Sequence, residues 1–131
     1  MGDQLSDPAK SILEEISAIV ADIDNDPEGE KKRAILSKTD SEVVYGTRLL
    51  VRKVSDLRHQ MDFPANSTIA VTKFLKPTVI LKKVTRYLII LSEKACLNPG
   101  GEICYGNYTI THDEIEVDPG AIIIFITPTQ G

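Results

Sequence analysis

The chain contains no tryptophan, and aromatic residues account for only 5% of its 131 positions. A core therefore has to be built mainly from isoleucine, valine and leucine. The apolar content of 42% and the charged content of 26% are ordinary for a globular protein, which argues against disorder of the whole chain. A chain of this length is typical of one domain, and we predict a single domain that spans 1–131.

Cysteine is scarce as well, with Cys96 and Cys104 as its two occurrences. Together with His112 they lie at intervals of eight residues, which is not the close pairing of a zinc knuckle. We therefore expect two buried structural thiols, no metal and no cofactor.

Long apolar runs are also missing, since even Ala121–Ile126 is far too short to cross a bilayer. Met1 to Lys10 lacks the apolar segment of a signal peptide. We expect a cytoplasmic or nuclear protein that is not secreted, does not contact a membrane and keeps its thiols reduced.

Residues that carry catalysis are few. The two histidines, His59 and His112, fall on the polar side of a predicted helix and in a predicted turn. Neither cysteine lies in a glycine-framed nucleophile turn, and Gly100-Gly101 precedes a predicted strand, the reverse of the order in a phosphate-binding loop. We predict that the protein is not an enzyme.

Charge is distributed unevenly along the chain. Residues 1–30 carry nine acids and one base, residues 31–94 carry fourteen bases and five acids, and residues 95–131 carry five acids and no base. The three segments have net charges of −8, +9 and −5, consistent with the overall −4. Either the acidic ends neutralise the basic middle within the fold, or the middle exposes a basic face to a polyanion.

Helical signals dominate the first part of the chain. Ser6-Asp7-Pro8 resembles a helix start, and apolar residues at helical spacing follow, so 1–24 is predicted as an amphipathic helix before a charged linker at 24–38. Thr39-Asp40-Ser41-Glu42 matches a capping box and predicts a second helix from Asp40 to Met61, which Phe63-Pro64 ends.

The rest of the middle is predicted as a basic helical core that extends over 39–97. Asn66, Ser67 or Thr68 can cap a short helix from Ile69 to Lys76. Thr78–Leu97 has apolar residues at helical spacing but is rich in strand-forming residues. We favour a helix there because no turn signal interrupts the segment before Asn98-Pro99-Gly100-Gly101.

The tail at 102–127 is predicted as a β-meander. Ile103–Thr111, Ile115–Val117 and Ala121–Thr127 are candidate strands, and Asp118-Pro119-Gly120 is a turn signal between the last two. Residues Ile122–Ile126 are apolar on both faces, which predicts a covered central strand or one that pairs with a partner. The expected fold class is α+β, mainly helical with a small C-terminal antiparallel hairpin or meander, in an outline like that of a winged helix.

Two functions fit this reading. The first is a non-enzymatic nucleic-acid-binding protein, or such a subunit of a larger complex, that contacts the phosphates of DNA or RNA through a basic helical face. The residues predicted to do so are Arg48, Arg52, Lys53, Lys73, Lys76, Lys82, Lys83 and Arg86. The alternative is an assembly or adaptor protein, or a viral structural subunit, that docks a partner or another copy through its N-terminal helix and apolar C-terminal strand.

Overall fold

The secondary structure is dominated by strands. A computed structural model of the chain describes residues 3–25, 35–80 and 84–129. Within them the helices are α1 (Asp7–Asn25) and α2 (Arg48–Gln60). The strands are β1 (Asp3–Gln4), β2 (Ile35–Lys38), β3 (Glu42–Tyr45), β4 (Ser67–Phe74), β5 (Thr78–Ile80), β6 (Arg86–Ile90), β7 (Lys94–Asn98), β8 (Gly101–Cys104), β9 (Asn107–Thr111), β10 (Ile115–Val117) and β11 (Ile122–Pro128).

The strands form two antiparallel sheets. The first has seven strands in the order β1-β9-β6-β11-β4-β3-β2, and the second has four in the order β5-β10-β7-β8. One apolar cluster joins the two helices to one face of the seven-stranded sheet. A second cluster joins the opposite face to the four-stranded sheet. The seven-stranded sheet is therefore the middle of three layers.

Strand β11 lies at the centre of that middle layer. Ile124 and Ile126 belong to the cluster on the helix side, whereas Ile123 and Phe125 belong to the cluster between the sheets. All four are buried, and a fully buried side chain of this size contributes about 1.5–3 kcal/mol through the hydrophobic effect. The prediction of a covered central strand is confirmed.

The prediction of a mainly helical fold is wrong. Between residues 39 and 97 the described chain has one helix, α2, and its other regular elements are strands. The predicted helix at Ile69–Lys76 is strand β4, and Thr78–Leu97 contains β5, β6 and most of β7. Strand β6 is covered on both faces, so its continuous apolar run imitated a helical repeat.

Helix α1 is confirmed, but it begins at Asp7 and not at residue 1, because Asp3–Gln4 is strand β1. The Ser6 hydroxyl accepts a hydrogen bond from the Ala9 N–H at 3.4 Å, and Pro8 lies in the first turn, where its missing N–H has no partner to lose. Leu13, Ile16 and Val20 are buried against the sheet. Of the predicted linker that follows, Ile35–Lys38 is strand β2, and 26–34 lies outside the described residues.

Helix α2 begins eight residues later than predicted, at Arg48. The Thr39 hydroxyl does accept two backbone N–H bonds, from Ser41 and Glu42 at 3.1 Å each, but it does so in the turn between β2 and β3. The residue that caps α2 is Thr47, whose hydroxyl accepts the Leu50 N–H at 3.0 Å. The capping-box pattern therefore marked a hairpin turn instead of a helix start, because both arrangements use the same side-chain bond.

The prediction of a C-terminal meander is also wrong, although strands are present in this part of the chain. Asp118-Pro119-Gly120 does form a turn, but it connects β10 in the four-stranded sheet to β11 in the seven-stranded sheet. Gly120 has φ +92°, a conformation that glycine adopts without strain. Since Thr78–Leu97 contains strands and not the predicted helix, the winged-helix outline is wrong as well. Neither helix in the described parts of the chain has the length and apolar content needed to span a membrane.

Candidate binding surface

The basic residues predicted to bind phosphates do not share one surface. Lys82 and Lys83 lie outside the described residues. Arg48 and Arg52 are exposed on α2, and Lys76 is exposed in the turn after β4. The remaining three are ion-paired, partly buried or buried.

Lys53 links the two helices. Its ammonium lies 3.1 Å from Oε1 of Glu15 on α1, with the two side chains 26% and 54% exposed. An ion pair this open to solvent contributes less than about 1 kcal/mol. Its position shows that at least part of the acidic N-terminal segment folds against the basic middle, as expected for internal charge compensation.

Among the predicted residues that the structure describes, Arg86 is the most deeply buried, with 6% exposure. By alternation along β6 it lies on the same face as Leu88 and Ile90, which faces the four-stranded sheet. Burial lowers the pKa of its guanidinium because desolvation disfavours the charged form. Arg86 is therefore not placed to contact a large polyanion.

Lys73 lies on the opposite face of the seven-stranded sheet. It is two residues from Val71, which packs towards the helices, so both side chains lie on that face, and it pairs with Ile122 of β11. Tyr87, the neighbour of Arg86, pairs with Ile126 at the other end of β11. Lys73 and Arg86 are thus separated by about 17 Å along the sheet as well as by its thickness.

The outer face of α2 carries two of the predicted residues that are exposed. Leu50, Val54 and Leu57 point into the core, so Arg48 and Arg52 lie on the opposite side of the helix. Leu49 and Val51 flank these arginines and are 51% and 49% exposed. An open groove of about 610 Å³ lies along this face, lined by Gly46, Thr47, Arg48, Val51, Arg52, Ser55 and Asp56.

The exposed leucine and valine were not predicted. The predicted helix from Asp40 to Met61 began too early, and neither side chain was singled out as exposed. With α2 beginning at Arg48, the core spacing of Leu50, Val54 and Leu57 leaves both side chains facing outward. A helix start set by Thr47 would have been the signal that identifies them.

The docking elements of the assembly hypothesis are used inside the fold. The apolar face of α1 is buried against the seven-stranded sheet, and β11 pairs with β4 and β6 on its two sides. A partner that binds the folded chain therefore does not contact the apolar face of α1 or the edges of β11.

The two histidines considered for catalysis or metal binding do not lie on the same element. His59 is exposed on α2, whereas Nδ1 of His112 lies 3.0 Å from the Thr85 hydroxyl. No group of three or more metal-ligating side chains occurs within 3–25, 35–80 and 84–129. The prediction of two buried thiols is wrong, because Cys104 is exposed and Cys96 is only partly buried.

Comparison with known proteins adds no assignment: no protein-family model and no curated protein matches this chain.

Proposed function

We propose that the protein is a non-enzymatic binding protein that contacts a partner protein through the outer face of α2. The partner surface is apolar with acidic residues around it. The observation that carries this proposal is the exposure of Leu49 and Val51, each about half accessible, on either side of Arg48 and Arg52.

The composition of this face supports a protein partner. Arginine and apolar side chains are characteristic of interface centres, where apolar contact excludes water and arginine forms bidentate bonds with carboxylates. Two exposed apolar side chains on one short helix gain free energy when a partner covers them. Asp56 is the one acid among the residues that line the groove, so the face favours an acidic partner.

The rigidity of α2 supports the same function. Its inner side chains are at most 1% exposed, and Thr47 caps its first turn. The outer side chains are therefore presented from a fixed backbone, which reduces the entropy that is lost on binding.

The test is affinity capture from nuclease-treated extract of the source cells, using immobilised wild-type protein and variants. Leu49→Ser with Val51→Ser should abolish capture of specific partners, and Arg48→Glu with Arg52→Glu should reduce it. Val79→Ser with Ile110→Ser is the matched control, because these side chains are 49% and 42% exposed on strands β5 and β9. Equal capture by the α2 variants and the wild type would contradict the proposal.

Nucleic-acid binding is the second candidate. It is favoured because no ion pair joins Arg48 or Arg52 to an acidic side chain among the described residues. Two free guanidinium groups one helical turn apart can contact successive phosphates. This version of the hypothesis uses Arg48 and Arg52, without the buried Arg86.

Fluorescence anisotropy with labelled duplex DNA and single-stranded RNA, titrated across salt, separates the two candidates. If nucleic acid is the ligand, Arg52→Glu should weaken binding to all sequences and reduce the salt slope by about 1. Lys94→Glu, on the four-stranded sheet, should leave the affinity and the salt slope unchanged. Absence of binding at low salt would rule out nucleic acid and leave the protein partner.

A further inference from the structure

The outer face of the four-stranded sheet carries both cysteines. On β7, Ala95 and Leu97 are buried between the sheets, and on β8 Ile103 is buried with them. Because side chains alternate along a strand, Cys96 and Cys104 both point to the opposite, solvent-facing side. Both thiols are free; Cys96 is partly buried and Cys104 is exposed.

The strand register makes these two cysteines diagonal neighbours. Cys96 pairs with Glu102, and Lys94 pairs with Cys104, so the four residues form the corners of one small patch. Residues on such a diagonal have Cα atoms about 7–8 Å apart and Cβ atoms somewhat closer. The other diagonal is joined by an ion pair, with Lys94 Nζ 3.8 Å from Glu102 Oε2.

This spacing favours two separate thiols over a disulfide. A disulfide requires Cα atoms about 4.4–6.8 Å apart, which is less than the diagonal separation in a regular sheet. Two metal–sulfur bonds span more distance than one S–S bond, so a bridging ion suits a diagonal pair of cysteines better than a disulfide does.

We propose that Cys96 and Cys104 form a two-thiolate site for a soft monovalent cation of the Cu(I) class. Thiolates select soft cations, and Cu(I) is stable with two sulfur ligands. A structural zinc site needs four ligands, and the described residues provide no cluster of three. The two-coordinate class is therefore the one that fits this patch.

The binding step involves no change in oxidation state. Each thiol loses its proton to solvent, and each sulfur donates an electron pair to the cation, so that two metal–sulfur bonds form and two protons are released. Proton release therefore accompanies binding. This site lies on the layer opposite α2 and does not depend on the proposed function.

The test is an anaerobic titration of the reduced full-length protein with Cu(I) in competition with bicinchoninate, whose Cu(I) complex is coloured. One equivalent should be withdrawn from the chelator. Cys96→Ser and Cys104→Ser should each weaken binding by more than about 100-fold, since even changes outside the ligand shell cost 10–100-fold. Copper K-edge absorption should show two sulfur scatterers.

A matched control keeps the number of thiols and changes their placement. Cys104→Ser with Gln60→Cys has one partly buried and one exposed thiol in different layers, and it should bind as weakly as Cys104→Ser. Three results would overturn the proposal: no competition by the wild type, unchanged binding by the single variants, or equal binding by the displaced pair. Circular dichroism checks the fold of each variant, which should persist because both cysteines point outward.

Discussion

The two helices lie side by side on the same sheet but present different surfaces to solvent. The inner faces are alike, since Ile16 of α1 and Leu57 of α2 are both fully buried. The outer face of α1 carries acids and small residues such as Glu14 and Ala18, whereas that of α2 carries Leu49 and Val51 beside arginines. Packing against the sheet therefore accounts for the apolar stripe of α1. It does not account for Leu49 and Val51 on α2.

This difference between the outer faces of α1 and α2 suggests that stability and binding depend on different residues. Residues that face the sheet should determine the free energy of unfolding, and residues on the outer face of α2 should determine partner affinity. Four measurements can break or sharpen this separation.

The largest effect is expected for truncation of the inner faces. Ile16→Ala and Leu57→Ala should each lower the free energy of unfolding by about 2–5 kcal/mol, because each leaves a cavity in a close-packed core. Urea denaturation followed by circular dichroism measures both. A loss below 1 kcal/mol for either variant would show that its helix does not pack on the sheet as described.

Loss of the α2 cap should cost less. Thr47→Ala removes the hydroxyl that accepts the Leu50 N–H at 3.0 Å and should destabilise the protein by about 1 kcal/mol, whereas Thr47→Ser should restore most of it. Ser6→Ala on α1 is the comparison, and it should cost less because its bond is longer, at 3.4 Å. Equal losses in the same denaturation assay would contradict this ranking.

The ion pair between the helices should contribute less again. A double-mutant cycle with Lys53→Ala and Glu15→Ala should give a coupling of about 0.2–1 kcal/mol that decreases with added salt, because the pair is exposed. A coupling that does not change between low and high salt would indicate a more buried contact than the one observed.

The smallest effect on stability is expected on the outer face. Leu49→Ser should change the free energy of unfolding by no more than about 0.5 kcal/mol, because the side chain is half exposed. The same variant should still lose partner capture in combination with Val51→Ser. A large loss of stability would instead assign Leu49 to the core.

The sequence was sufficient for the elements that depend on local signals. Helix α1 has a capping serine, a proline in its first turn and one apolar stripe. In β11 the residues that point to either face of the sheet are apolar. The turns at Asn98–Gly101 and Asp118–Gly120 are where proline and glycine indicated them, although the first joins two strands and does not end a helix.

The sheets themselves could not be predicted in this way. The apolar residues of Thr78–Leu97 come from both faces of β6 and one face of β7. Their positions in the sequence match helical spacing only when the break between the two strands is overlooked. Assignment of β10 and β11 to different sheets depends on contacts between residues far apart in the chain, which a local pattern does not contain. Leu49 and Val51 were not predicted to be exposed, because the assignment of the buried face depends on where α2 begins. One capping residue, Thr47, determines that start.

The central claim is that the outer face of α2 is the contact surface, and site-specific photo-crosslinking tests it most directly. A benzophenone side chain is placed at Val51 on α2 and, as the matched control, at Ala18 on the outer face of α1; both positions are exposed. On irradiation in the source cells, the Val51 probe should form a discrete protein adduct and the Ala18 probe should not. Adducts of equal yield at both positions, or at Ala18 alone, would contradict the claim.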